Sequence, residues 1–239
     1  MVDWRRRRRH TGFNNGGTGT FLYATRWPDR LAAAAPLMGA GHLFFAQSGQ
    51  DALLANATRL PMLFIHGDKD EVIAVRATRE TVKALRKRDP AAPVEEVILP
   101  GRGHDVRLRT DDGRTLAFFE KQQRDPFPRR VTLETRTAGA RSYWIAVAEK
   151  EGGVASVEGA IEDGHTIRLT TRNVKRVKLL LRRELLPAAG AGPVRVEING
   201  REAWKGPLAD DCALLQESWR ASGDPFLAYG LELTLDITH

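Results

Sequence analysis

The sequence predicts a mixed chain in two parts, an α/β half with parallel strands and helices over residues 11–128 and a small antiparallel β-sandwich over 129–239. Two observations carry the first part. The apolar run Pro61–Ile65 and the strand-like run Val94–Leu99 are separated by an amphipathic stretch, Val75–Arg88, whose Val75, Thr78, Val82 and Leu85 recur at helical spacing. A strand, a covering helix and a second strand make a parallel unit, because parallel neighbours need a long crossover. The second part rests on texture: after residue 128 the apolar residues alternate in short runs broken by glycine.

The elements follow in order. Residues 1–10, MVDWRRRRRH, read as a solvated basic arm, since Arg5–Arg9 cannot enter a strand buried on both faces without compensating charge. Residues 11–41 form a glycine-rich turn leading into a helix. Thr115–Arg124 is a closing helix with Leu116, Phe118 and Phe119 turned inward, ended by Pro126 and Pro128. Strands are then expected at Val131–Thr135, Tyr143–Val147 and Val154–Ile161. Later strands are marked by Ile167 and Leu169; by Val177, Leu179 and Leu181; by Val194, Val196 and Ile198; and by Leu231, Leu233, Leu235 and Ile237. Asn199-Gly200 is a hairpin turn signal.

Composition bounds the function. The chain has 239 residues and a net charge of +7, of which the five arginines of the arm supply most; without them +2 remains. Such an arm can hold phosphates non-specifically, but without interleaved aromatics or a recognition helix no specific nucleic-acid readout is expected. No apolar run approaches the ~20 residues that span a bilayer. His10–Gly19 is polar and glycine-rich where a signal peptide would be apolar, so no export signal is expected and localisation stays open. The single cysteine, Cys212, excludes an internal disulfide and argues against a cysteine-rich zinc site. Gly16-Gly17-Thr18-Gly19 lacks the Lys-Ser/Thr ending of a phosphate loop, and neither cofactor nor metal is expected.

Three segments carry chemistry. Gly12-Phe13-Asn14-Asn15-Gly16 resembles the G-x-S-x-G elbow that lifts a nucleophile above a sheet, with Asn14 where serine should stand. His66-Gly67-Asp68-Lys69-Asp70 resembles the segment that carries the acid, and Pro100-Gly101-Arg102-Gly103-His104 the loop that carries the histidine. Their order along the chain, elbow then acid then histidine, is that of the α/β-hydrolases. The chain thus resembles bacterial prolyl oligopeptidase-like, polyhydroxybutyrate depolymerase-like and dienelactone hydrolase-like serine hydrolases over residues 11–128, as a partial α/β-hydrolase fold holding the C-terminal half of the parallel sheet.

That resemblance implies hydrolysis of a carboxylic ester or peptide bond, with Asp70 as the acid, His104 as the general base and the Asn15 amide as an oxyanion donor. Asp68 is expected to hold its turn and His66 to be structural at the strand end, while His42 is a candidate pocket residue. Read singly, each of these is as well explained by a turn or a core histidine. A carboxamide has no proton that an imidazole removes near neutral pH, so Asn14 is not a working nucleophile.

The family builds further strands before its elbow, including the loop with the second oxyanion donor. Their absence here implies an impaired chain, either a start assigned inside a longer coding sequence or a true loss of catalysis. Three functions follow as expectations: a serine hydrolase by family, a pseudoenzyme that binds a glycan, peptide or polymeric ester, and a basic-arm binder of nucleic acid or an anionic surface. A homodimer covering the exposed sheet edge is a further expectation. In the sandwich, Arg168, Arg172, Lys175, Arg176, Lys178, Arg182 and Arg183 either attract a polyanion or merely solubilise strand edges. Trp144 and Trp204 read as core or boundary residues rather than sugar platforms.

Overall fold

The structure is a computed structural model that describes residues 8–47, 53–105, 113–187 and 192–237. The chain divides into two compact units, Met1–Asp125 and Pro126–His239.

Unit 1 is a parallel sheet in the order β1-β2-β3-β4, built from β1 (Arg9–Phe13), β2 (Ala33–Leu37), β3 (Met62–Gly67) and β4 (Val94–Leu99). Helices α1 (Asn15–Arg26), α2 (Gly41–Gln47), α3 (Arg76–Arg88) and α4 (Arg114–Lys121) intervene or follow. Alternation along the strands sorts the core into two faces. Ala34, Met62 and Phe64 cluster with Phe21 and Ala24 of α1 and Val82 and Leu85 of α3. Ala33, Ala35, Leu37, Leu63 and Ile65 cluster with Phe118 and Phe119 of α4. Helices therefore cover both faces of the sheet, as a parallel sheet requires.

Several expectations are corrected. Arg9 and His10, assigned to the basic arm, are the first residues of β1; residues 1–7 lie outside the described residues. Arg9 is accommodated because β1 is bordered by a described strand on one side only and is only part-buried. Its guanidinium donates to the Gln122 carbonyl (3.5 Å) and lies 5.9 Å from the centre of the Phe119 ring. The stretch Ala33–Leu37, read as helical, is a strand with every residue buried. Alanine's helix propensity yields there to tertiary packing, because only small side chains fit between the layers. Leu116, expected inside, is 64% exposed; Thr115, Phe118 and Phe119 form the inward face of α4, and Leu116 falls off it.

Unit 2 contains two sheets. One has the order β13-β10-β7-β6, from β13 (Leu231–Asp236), β10 (Val174–Leu181), β7 (Ile145–Lys150) and β6 (Arg141–Ser142). The other has the order β12-β11-β9-β8-β5, from β12 (Arg201–Gly206), β11 (Val194–Ile198), β9 (Thr166–Arg172), β8 (Ala155–Glu162) and β5 (Arg130–Thr135). Residues from both, among them Ile145, Val177, Val157 and Val196, belong to one apolar cluster around the buried Trp144, whose indole donates to the Pro128 carbonyl (2.7 Å). Pairing is not antiparallel throughout, as expected from sequence: β9 and β11 run parallel, because the chain leaves the larger sheet to lay down β10 and then returns. Asn199 (φ 52°) and Gly200 (φ 81°) make the turn between β11 and β12 in the left-handed backbone that such tight hairpins need. The helix α5 (Cys212–Ser222), unforeseen in the sequence, starts at Asp211, whose side chain accepts from the Leu214 amide.

Candidate functional site

The C-terminal ends of the parallel strands gather the three expected segments. At the end of β1 the chain turns through Asn14 directly into α1. Asn14 holds φ 57° and ψ −118°, a sparsely populated backbone region that costs on the order of 1–3 kcal/mol unless its surroundings fix it. The surroundings do so. The Asn14 amide donates to the Leu37 carbonyl (3.1 Å), and the Asn14 carbonyl accepts from the Thr18 amide (3.0 Å). Glycine is demanded by contact as well: a Cβ on Gly12 would stand 2.4 Å from the Gly16 carbonyl oxygen, and one on Gly17 would stand 2.4 Å from that of Leu37. The tight elbow is thus a packed structure, and α1 opens with the Asn15 amide in the first turn, where a helix leaves N–H groups without internal acceptors.

β3 ends in His66-Gly67, and the following turn presents Asp70. One oxygen of Asp70 accepts from the amides of Val72 (2.9 Å) and Ile73 (2.8 Å). The other lies 2.7 Å from His104 Nδ1 and 3.1 Å from His66 Nε2. Burial alone would raise the Asp70 carboxyl, but the hydrogen bond from His104 and those from the Ile73 and Val72 amides outweigh it and hold the group below its usual range. Because an ionised carboxylate only accepts, the geometry places a proton on His104 Nδ1 and leaves Nε2 as the basic nitrogen. That Nε2 is buried and has no hydrogen-bond partner among the described residues. The His104 ring packs 4.8 Å from the ring of Phe13, the residue before the elbow.

The remaining residues have supporting places. Asp68 accepts from the Gly101 amide (2.6 Å), which ties the acid loop to the histidine loop. Gly67 admits the histidine loop, since a Cβ there would meet the Arg102 carbonyl oxygen at 2.3 Å. His66 is fully buried: Nε2 is 2.8 Å from the Ile73 carbonyl and Nδ1 2.8 Å from Thr78 Oγ1. Desolvation pushes its pKa below the ordinary histidine value and keeps it neutral, so Nε2 donates to Ile73 and toward Asp70. Sequence reasoning placed His66 at the strand end but missed its contact with the acid. The signal was its spacing, four residues ahead of Asp70 across a tight turn. His42, considered as a pocket residue, bonds Thr81 of α3 through both its backbone amide and its ring Nδ1 (3.1 Å each).

The profile of the family described as the Dienelactone hydrolase family matches residues 6–117. The match covers a little under half of the chain and falls within unit 1, which is similar to that family over this stretch. A protein of Arthroderma benhamiae described as an uncharacterized secreted protein is 25% identical over 223 residues, a match covering 79% of this chain and 23% of that protein. The chain therefore spans about a quarter of that relative's length. Among solved structures, esterase PE8 is similar at 24% identity and a TM-score of 0.37, over 47% of this chain and 49% of that one. A thermostable esterase is similar at 20% identity and a TM-score of 0.43, over 50% and 32%. The acylaminoacyl peptidase of Pyrococcus horikoshii is similar at 18% identity and a TM-score of 0.40, over 49% and 24%.

Proposed function

We propose that unit 1 carries the elbow, acid and histidine of a serine-hydrolase site for carboxylic esters or peptide bonds, and that Asn14 leaves this chain unable to start the reaction. One observation carries the reading: a part-buried His104 bonded to a buried Asp70, its Nε2 without a partner among the described residues, on the same sheet edge as a residue in the strained elbow backbone. With serine at position 14, Nε2 would take the hydroxyl proton as oxygen attacks the carbonyl, Asp70 would stabilise the imidazolium, and the Asn15 amide would face the developing oxyanion. With asparagine there is no proton to take, and loss of a nucleophile costs roughly a millionfold in rate. What is left is the Asp70–His104 pair and the Asn15 amide around an elbow that cannot start the cleavage.

The test is covalent capture. A fluorophosphonate should leave the natural chain unlabelled at position 14, label Asn14→Ser there, and label Asn14→Ser/His104→Ala at least about a hundredfold more slowly. A p-nitrophenyl acetate assay on the same proteins should rank them identically. Labelling of Asn14→Ser at a rate indifferent to His104 would refute the reading, as would His104-dependent turnover by the natural chain.

A further inference from the structure

The backbone of Asn14 bears on the fate of its own side chain. In an L-residue Cβ stands roughly 120° from the backbone nitrogen about the Cα–C bond. A ψ of −118° therefore brings Cβ almost into eclipse with the nitrogen of Asn15. That eclipse is what a succinimide ring needs, because the ring closes by a bond from the following amide nitrogen to the side-chain Cγ. Helical and extended backbone, with ψ near −42° or +135°, hold the two groups well apart.

The reacting nitrogen is also available. Asn15 is the first residue of α1, and its N–H has no acceptor among the described residues. Asn14 is half-buried while Asn15 and Gly16 are exposed, so water can reach the site and ammonia can leave. The conformation is held by the Leu37 and Thr18 hydrogen bonds and by the glycine contacts of the elbow, so the fold maintains the backbone angle that ring closure needs and leaves only rotation of the side chain.

We propose that Asn14 is a self-modification site, at which the folded elbow promotes conversion of asparagine through a succinimide to aspartate and isoaspartate. The Asn15 nitrogen loses its proton to solvent base and bonds to Cγ of Asn14. The Cγ–Nδ2 bond breaks, and that nitrogen leaves, protonated, as ammonia. One water then opens the imide at either carbonyl, giving aspartate or isoaspartate. Nothing is oxidised or reduced.

The primary structure points one residue further on. Asn15-Gly16 is the less hindered pair, since glycine presents no Cβ to the attacking nitrogen, and a flexible chain would react there first. In the fold Asn15 has helical backbone, so the order inverts. The inference is independent of the hydrolase reading, as it uses neither His104 nor Asp70.

The experiment is peptide mapping of the full chain after incubation at neutral pH, in buffer and in urea, with mass spectrometry for amide-to-acid conversion and isoaspartyl methyltransferase labelling. In buffer, conversion at Asn14 should exceed that at Asn15 by about tenfold or more, and in urea Asn15 should lead. Gly16→Ala, whose added Cβ meets nothing within 4 Å, should slow Asn15 in urea and leave Asn14 in buffer unchanged. Asn14→Gln should abolish conversion at that position. Dominant conversion at Asn15 in buffer, or an Asn14 rate no faster folded than unfolded, would overturn the proposal.

Discussion

At the scale of single residues, unit 1 depends on groups that have been fitted so closely that small changes separate their roles. Gly17 and Gly19 both lie in α1, yet a Cβ on Gly17 would press on the Leu37 carbonyl oxygen at 2.4 Å while one on Gly19 would meet nothing. Gly17→Ala should destabilise by about 1–3 kcal/mol, and Gly19→Ala should be neutral or stabilise by up to about 1 kcal/mol, measured by urea unfolding. His66 sets a pH dependence. Its folded pKa lies below the unfolded value of about 6.5, so the unfolded state binds the proton first, and stability falls as pH drops through the window below about 6.5. Replacing His66 by Gln should lower stability at neutral pH and flatten that slope in unfolding curves between about pH 5 and 7. Asp70, with its depressed pKa, contributes stability above the ordinary carboxylate range and loses it only in stronger acid, below about pH 4.

At the scale of elements, what could be read from the sequence was what carries a period or a turn residue. The helix α3, the strand β4 and the hairpin at Asn199-Gly200 each have such a signature and form as expected. The strand β2 does not: Ala33–Leu37 has no alternation because both of its faces are buried, and its small residues are chosen by the helices packed on them. The acid and histidine loops were legible as segments, but the contact of His66 with Asp70 was not, because it depends on how the turn after β3 folds back. The two sides of α4 give a direct check on the corrected reading of that helix. Phe119→Ala should cost about 3 kcal/mol or more, whereas Leu116→Gln should stay within about 0.5 kcal/mol, by thermal unfolding.

At the scale of the whole chain, the positive charge is distributed unevenly in its effect. Several basic residues of the unit 2 strands are matched to carboxylates: Arg168 to Glu162 and Glu197, Arg176 to Glu149 and Asp236, Lys178 to Glu232, Arg183 to Asp210. Such exposed pairs add little stability, but they cancel the field that a polyanion would feel. Replacing Arg5–Arg8 with glutamine should therefore weaken retention on heparin at low salt, and retention that is unchanged would place the binding outside the arm. The parallel pairing of β9 with β11 has a consequence in time. Between those strands the chain must place β10 in the other sheet, so the larger sheet cannot be completed by zipping up neighbouring hairpins. Contacts of long sequence separation must be closed before they are rewarded, so the docking of β11 on β9 is expected among the slower steps of refolding, later than the local β8–β9 and β11–β12 pairings.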